Sequence, residues 1–198
     1  MKFFFYLILG VCLAGCAENV ELKKSSFEPK LKEFRKFRNK KMAGNGSPIP
    51  SEDKNNFVGL NFYPANESFY FKAHFSLLFS QQVTEMKTNT NRIPKFLPYG
   101  EISFIFNEKK YVLIAYKSLD DPSEELFLPF TDLTCGNGSY ETGRYLDLEI
   151  PNNDTIILDF NRCYNPYCAY NSKYSCPIPP AENNLLISVD AGERNFHN

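Results

Sequence analysis

Apolar residues recurring at every second position constrain this chain more than any other feature. In "FYFKAHFSLLF" (69–79), Phe69, Phe71, Ala73, Phe75, Leu77 and Phe79 fall on one face, and Tyr70, Lys72, His74 and Ser76 on the other. That period belongs to a strand half-buried in a sheet. "EISFIF" and "YVLIAY" flank "NEKK" and predict a hairpin between 101 and 117. "FVGLNFY" (57–63), "ELFLPF" (125–130), "YLDLEI" (145–150), "TIILDF" (155–160) and "LLISV" (185–189) read as further short strands. "PNND", between 150 and 155, reads as a second hairpin turn. The chain is therefore expected to be mainly β: an antiparallel β-sandwich or partly open barrel of about eight strands. With 19 Phe and 12 Tyr it has ample large side chains for a core without any Trp.

Before the first strand the period is helical. "KKSSFEPKLKEFRKFRNKK" (23–41) carries nine Lys or Arg against Glu28 and Glu33. Phe27, Leu31, Phe34, then Phe37 or Arg38, and Met42 recur at helix spacing. Ser25 and Glu28 read as a capping box, and Pro29 suits a first turn. The prediction is an amphipathic helix over about 26–42, ended by Gly44 and Gly46. Its aromatic stripe packs on the domain and its basic face meets solvent or anionic headgroups.

The first residues restrict the compartment. Met1-Lys2 precedes "FFFYLILGVCLAG", a run of thirteen residues, too short for a spanning helix and right for a signal sequence. It closes in Leu13-Ala14-Gly15-Cys16, a quartet that resembles the lipobox of bacterial lipoproteins. The resemblance implies cleavage before Cys16, diacylglyceryl on its sulfur and acylation of its amine (a palmitate-type modification). Lipid chains hold a protein on a membrane at about 0.8 kcal/mol per buried methylene without spanning it. The expected organisation is a signal peptide 1–15, an anchor and linker 16–25, and a single domain 26–198 with its helix at 26–42 and its β part at 57–198. The expected location is the bacterial cell envelope, with inner and outer membrane both open. With 22 basic and 23 acidic residues, charge gives no footprint of a nucleic-acid partner.

Three polar segments carry the candidate chemistry: "PFTDLTCGNGSYETGRYLD" (129–147), "DFNRCYNPYCAYNSKYSCPIPPAENN" (159–184) and "AGE" (191–193). Their order is F-x-D-x-T, Y-x-x-G-R-Y-L-D, D-F-N-x-x-Y-N-P-x-C-A-Y, C-P-I-P-P-x-E-N-x-L, then A-G-E. Together with "FVGLNFYP" (57–64) and "YGEISFIF" (99–106), it resembles the domain of unknown function 1684 family over about 28–195. The resemblance implies a domain identity and agrees with an exported lipoprotein. It brings no catalytic residues.

The residues themselves leave two readings. Asp132, Arg144, Asp159 and Glu182 are candidates for acid–base hydrolysis, if carboxylates face each other in a pocket. The same groups can instead satisfy loop backbone, with Arg144 neutralising a buried carboxylate. Tyr140, Arg144, Asn161, Tyr164, Asn165, Tyr170 and Asn183 are candidate ligand contacts of the kind that suits a glycan, peptide or small molecule. The two histidines, His74 and His197, lie outside these segments, so no Ser-His or Cys-His device is expected. No phosphate loop, dinucleotide fingerprint, HExxH or calcium loop occurs, and no cofactor is expected.

Cys135, Cys163, Cys168 and Cys176 remain once Cys12 and Cys16 are set aside. An even number in an exported chain reads first as two disulfides. A zinc site is not expected, because the intervals of twenty-eight, five and eight positions contain no CxxC. Of the three pairings, the family resemblance implies Cys168–Cys176 and Cys135–Cys163, since the first two belong to its motif. The expected function is a non-catalytic, lipid-anchored envelope protein that binds a ligand or serves structurally. The alternative is a hydrolase using the four candidates above.

Overall fold

A computed structural model describes residues 15–79, 82–121 and 123–196, with side chains from Phe27 onward. The expected signal peptide, but for Gly15, lies outside the described residues. The Cys16 backbone sits in the first helical turn, but its side chain also lies outside them. No helix among the described residues is long and apolar enough to cross a membrane.

The order is helix α1 (Gly15–Ala43), then β1 (Tyr70–Leu77), β2 (Thr84–Glu85), β3 (Lys95–Phe106), β4 (Lys109–Ser118), β5 (Leu126–Phe130), β6 (Arg144–Leu148) and β7 (Thr155–Asp159). All seven strands join one antiparallel sheet ordered β6-β5-β4-β3-β1-β7, with β2 paired to β3. The sheet curls into a half-barrel, so of the two expected architectures it is the partly open barrel.

The alternation of 69–79 survives in β1: Ala73 and Phe75 are buried, while Lys72, His74 and Ser76 are exposed. Phe104, Leu113, Leu128, Leu146, Leu158 and Phe160 continue the same buried face. Each such side chain contributes about 1.5–3 kcal/mol on leaving water. At the β3–β4 hairpin, Asn107 and Glu108 have φ of 48° and 62°. Two consecutive left-handed residues are what a tight turn between twisted strands requires. Strand β3 starts six residues earlier than "EISFIF" suggests. Pro98 and Gly100 disguise that stretch, and they sit at a register shift against β4. A Cβ on Gly100 would lie 2.1 Å from the Phe75 ring, so glycine is what lets β1 and β3 close there.

Four local expectations are corrected. "PNND" is not a hairpin turn: β6 and β7 lie at opposite edges of the sheet, and the short link instead brings those two edges towards one another. "FVGLNFY" contributes only a bridge, Phe62 to Glu193. "LLISV" is a loop whose amides bond elsewhere, Leu185 to the Thr131 carbonyl at 2.8 Å and Val189 to the Asp132 carboxylate at 2.7 Å. Leu185, Val189 and Ala191 still plug the core, and so the segment reads like a strand. Finally, α1 runs through Ser25–Glu28, and Pro29 lies inside it rather than in its first turn. The Phe37-or-Arg38 choice falls to Arg38, which is buried, while Phe37 is 62% exposed.

Candidate functional site

Gly143, with φ of 105°, delivers the chain into β6 at a point where any Cβ would lie 2.5 Å from the Phe130 carbonyl oxygen. The next residue, Arg144, is completely buried. Its guanidinium donates to Asp132 at 3.1 Å, to Thr134 Oγ1 at 3.2 Å, and to the carbonyls of Val189 and Glu193 at 2.8 and 3.1 Å. It also donates to the Ala191 carbonyl. Asp132 takes further bonds from the Thr134 hydroxyl at 2.9 Å and from the Val189 amide. One cation thus satisfies a carboxylate and the carbonyls of an otherwise irregular loop, which is how a buried charge is tolerated.

Glu193, at the end of "AGE", forms a second interior node. Arg38 of α1 reaches it at 2.9 Å, Asn165 donates its backbone N–H at 2.9 Å, and the Tyr170 hydroxyl completes the set. Arg38 also stacks over Tyr164 at 4.7 Å. Arg35 supports the same docking by donating to the Tyr63 carbonyl at 2.8 Å.

The other sequence candidates separate. Asn161 bonds both backbone groups of Asn66 at 2.8 Å. Asn183 ties the Ile114 amide and the Ile114 and Pro129 carbonyls together. Asp159 caps a helical turn through the Asn161 amide at 3.0 Å. Glu182 accepts from the Tyr116 hydroxyl at 2.7 Å. Asp132 and Arg144 are therefore paired inside, while Asp159 and Glu182 are engaged elsewhere. The four do not meet in an open pocket.

What is open is the seam of the half-barrel. A groove of about 960 Å³ runs between α1 and the facing edges of β6 and β7. Leu31, Phe34 and Arg38 form one wall, and Asp147, Ile157 and Asp159 belong to the other. Past Arg38, Lys41, Asp147 and Tyr164 it continues into a second depression of about 570 Å³ that holds Arg92, Phe127, Tyr174 and Cys176. Among the acids that line the first groove, Asp147 and Asp159 stand out. Asp147 keeps part of its surface in water, yet burial by its neighbours raises its carboxyl above the usual range. The Tyr164 hydroxyl opposes this by donating to both oxygens at 2.8 and 2.7 Å. Burial raises Asp159 too, against the bonds from Asn161. Arg162, stacked over Phe34 at 4.7 Å, places a cation at the same wall. Of the residues proposed from sequence, Asp159 and Tyr164 thus line the groove. Arg38, Lys41, Ile157 and Arg162 line the groove and Arg92 the second depression without having been singled out as contacts from the sequence. Only Arg38 carried a signal, its place in the apolar register of the helix.

The four cysteines are free, so neither expected disulfide is formed. Cys135 does not pair with Cys163 because each is engaged separately: Cys135 bonds Asp132 at 3.4 Å, and Cys163 bonds the Ala191 carbonyl at 3.5 Å. Cys168 and Cys176 are neighbours as thiols, the Cys168 amide donating to Cys176 Sγ at 3.1 Å. No group of three or more His, Cys, Asp or Glu among the described residues could hold a metal ion.

The family described as "Protein of unknown function (DUF1684)" matches residues 55–194. Among solved structures, the chain resembles the solution NMR structure of the uncharacterized protein from gene locus rrnAC0354 of Haloarcula marismortui. The two are 32% identical with a TM-score of 0.71, over 88% of this chain and 97% of that one. No curated protein matches.

Proposed function

Taking the chain as what it is, a member of the DUF1684 family, we propose that it is an exported, lipid-anchored envelope protein whose domain is a non-catalytic binding module. The observation that carries this reading is the fate of Arg144. The arginine and carboxylate best suited to chemistry are spent on loop backbone in the interior, whereas the seam groove stays open and lined by aromatic, cationic and acidic groups. Such a lining suits an elongated polar ligand, a glycan or a peptide, with flat surfaces held by ring faces and polar ends held by charges.

The tether rests on Leu13-Ala14-Gly15-Cys16. Lys32, Lys36 and Lys40, exposed on the outer face of α1, support it by giving anionic headgroups a partner beside the anchor. Detergent phase partitioning of wild type and Cys16→Ser tests it: the wild type should enter the detergent phase and the variant the aqueous phase. Equal partitioning of the two would remove the lipoprotein reading.

Native mass spectrometry of protein purified from its host tests the binding. Ile157 is 46% exposed in the groove, so Ile157→Trp fills space without disturbing the core. A co-purifying species should be present on the wild type and absent from the variant. The same species on both, or none on either, would contradict a ligand held in the seam.

A further inference from the structure

The segment 164–177 meets β6 through the Tyr145–Tyr164 bridge and carries two of the four thiols. Cys168 lies in the short helical turn Tyr167–Ala169 that follows Pro166. Cys176 lies eight positions on, its backbone fixed by Asn89: Cys176 N–H donates to Asn89 Oδ1 at 2.7 Å, and the Asn89 amide returns a bond at 3.4 Å. With one residue on a turn and the other pinned, the Cys168 amide donates to Cys176 Sγ at 3.1 Å. Tyr140 brings its hydroxyl to Cys168 Sγ at 3.6 Å.

The two thiols are differently placed. Cys168 is half-buried and accepts from the Tyr140 hydroxyl. Cys176 is 7% exposed and borders the second depression. One thiol reachable from solvent, backed by a sheltered partner in contact, is the arrangement that thiol–disulfide exchange needs.

We propose that Cys168 and Cys176 form a thiol–disulfide exchange site for low-molecular-weight disulfides, with Cys168 attacking and Cys176 resolving. The Cys168 thiolate attacks one sulfur of the disulfide RSSR. A mixed disulfide forms, and RS⁻ leaves and takes up a proton. Cys176 then gives up its proton and attacks Cys168 Sγ, releasing the second RS⁻. The pair loses two electrons and two protons, and RSSR becomes two RSH.

The environment supports this order. The hydrogen bond from Cys176, assisted by Tyr140, pulls the Cys168 thiol down to about 7 against the effect of burial. The neighbouring Cys168 thiol pushes Cys176 up, and burial adds to it. The titratable and charged groups facing the pair are Tyr140, Tyr145 and Arg92. The other two cysteines are poor competitors. Cys163 is fully buried and pushed up to about 12 by burial, and Cys135 is raised by burial next to Asp132.

The test is incubation of the full, natively folded chain in a series of oxidised-to-reduced glutathione ratios, with acid quenching, alkylation and peptide mapping. Wild type should lose two hydrogens within the peptides of Cys168 and Cys176, pass through a glutathione adduct on Cys168 alone, and leave Cys135 and Cys163 alkylatable. Cys176→Ala should stop at a lasting adduct on Cys168, and Cys168→Ala should form none. Alkylation of Cys168 should reach half its limiting rate near pH 7. A lasting adduct on wild type, adducts on both cysteines independently, earlier oxidation of Cys135 or Cys163, or no reaction at all would overturn the site. Wild-type mapping decides the matter even if a variant folds poorly.

Discussion

Arg38 of α1 and Glu193 of the C-terminal loop, 155 positions apart, meet at 2.9 Å in the interior. Glu193 is 1% exposed and keeps Tyr170 and the Asn165 amide as its other partners. This pair is what fixes the helix against the barrel and so shapes one wall of the seam groove. Replacing Arg38 by Met keeps the stem but strands a buried carboxylate. The expected loss is about 3–5 kcal/mol in urea denaturation with an unchanged slope. A loss as small as that of an exposed ion pair, under about 1 kcal/mol, would mean the pair does not hold the helix.

The β3–β4 turn gives a prediction of the opposite sign. Glu108 is not a glycine, yet its φ is 62°. Glu108→Gly removes a left-handed strain of about 1–2 kcal/mol, and the looser unfolded chain offsets part of it. Stability should rise by about 0.5–1 kcal/mol, seen as a higher melting temperature. A decrease would show that the Glu108 side chain contributes more than its backbone costs.

Gly100 allows no such freedom. The Phe75 ring occupies the place of a Cβ, so Gly100→Ala should destabilise by about 1–3 kcal/mol. Adding Phe75→Leu should recover part of that loss, because the two sites share one space. Strict additivity in the double variant would separate them.

Asp147 ties the groove to pH. Its folded carboxyl is raised, by burial first. A raised acid favours the folded state fully below the unfolded value near 3.8 and loses that contribution as pH climbs through the folded value. Asp147→Asn removes the titration. Relative to wild type, the variant should therefore gain stability as pH rises from about 4 through this window. Melts at stepped pH decide it; a relative loss over the same range would mean that the Tyr164 hydrogen bonds outweigh burial.

Much of the barrel was legible because period-two patterning survives wherever one face of a strand is buried. It failed where burial occurs without pairing: Leu185 and Val189 are core residues in a loop, and their pattern copies a strand. It failed again at Pro98 and Gly100, whose local preferences hide a strand that bends. The link 149–154 looks like a hairpin turn, but which edges pair is decided by the curl of the whole sheet, a long-range property that no short window contains. For the site, the motif segments drew attention to Arg144, Asp132 and Asn183, and all three are buried and bonded inside the domain. The groove itself was not legible. Asp147 and Ile157 face it because two edges separated by the full sheet come together. Cys168 and Cys176 were expected as a disulfide through the family motif, and the two instead lie beside one another as free thiols.

The account stands most directly on Arg144 as an interior tie rather than a group that acts on a ligand. Thermal unfolding of Arg144→Ala measures this. Asp132 would be left buried without its cation, and the carbonyls of Val189, Ala191 and Glu193 without their donor. The predicted loss is about 3–5 kcal/mol, a fall of roughly 6–20 °C for a chain of this size. A melting temperature equal to wild type would contradict the account and return Arg144 to the list of ligand-contacting residues.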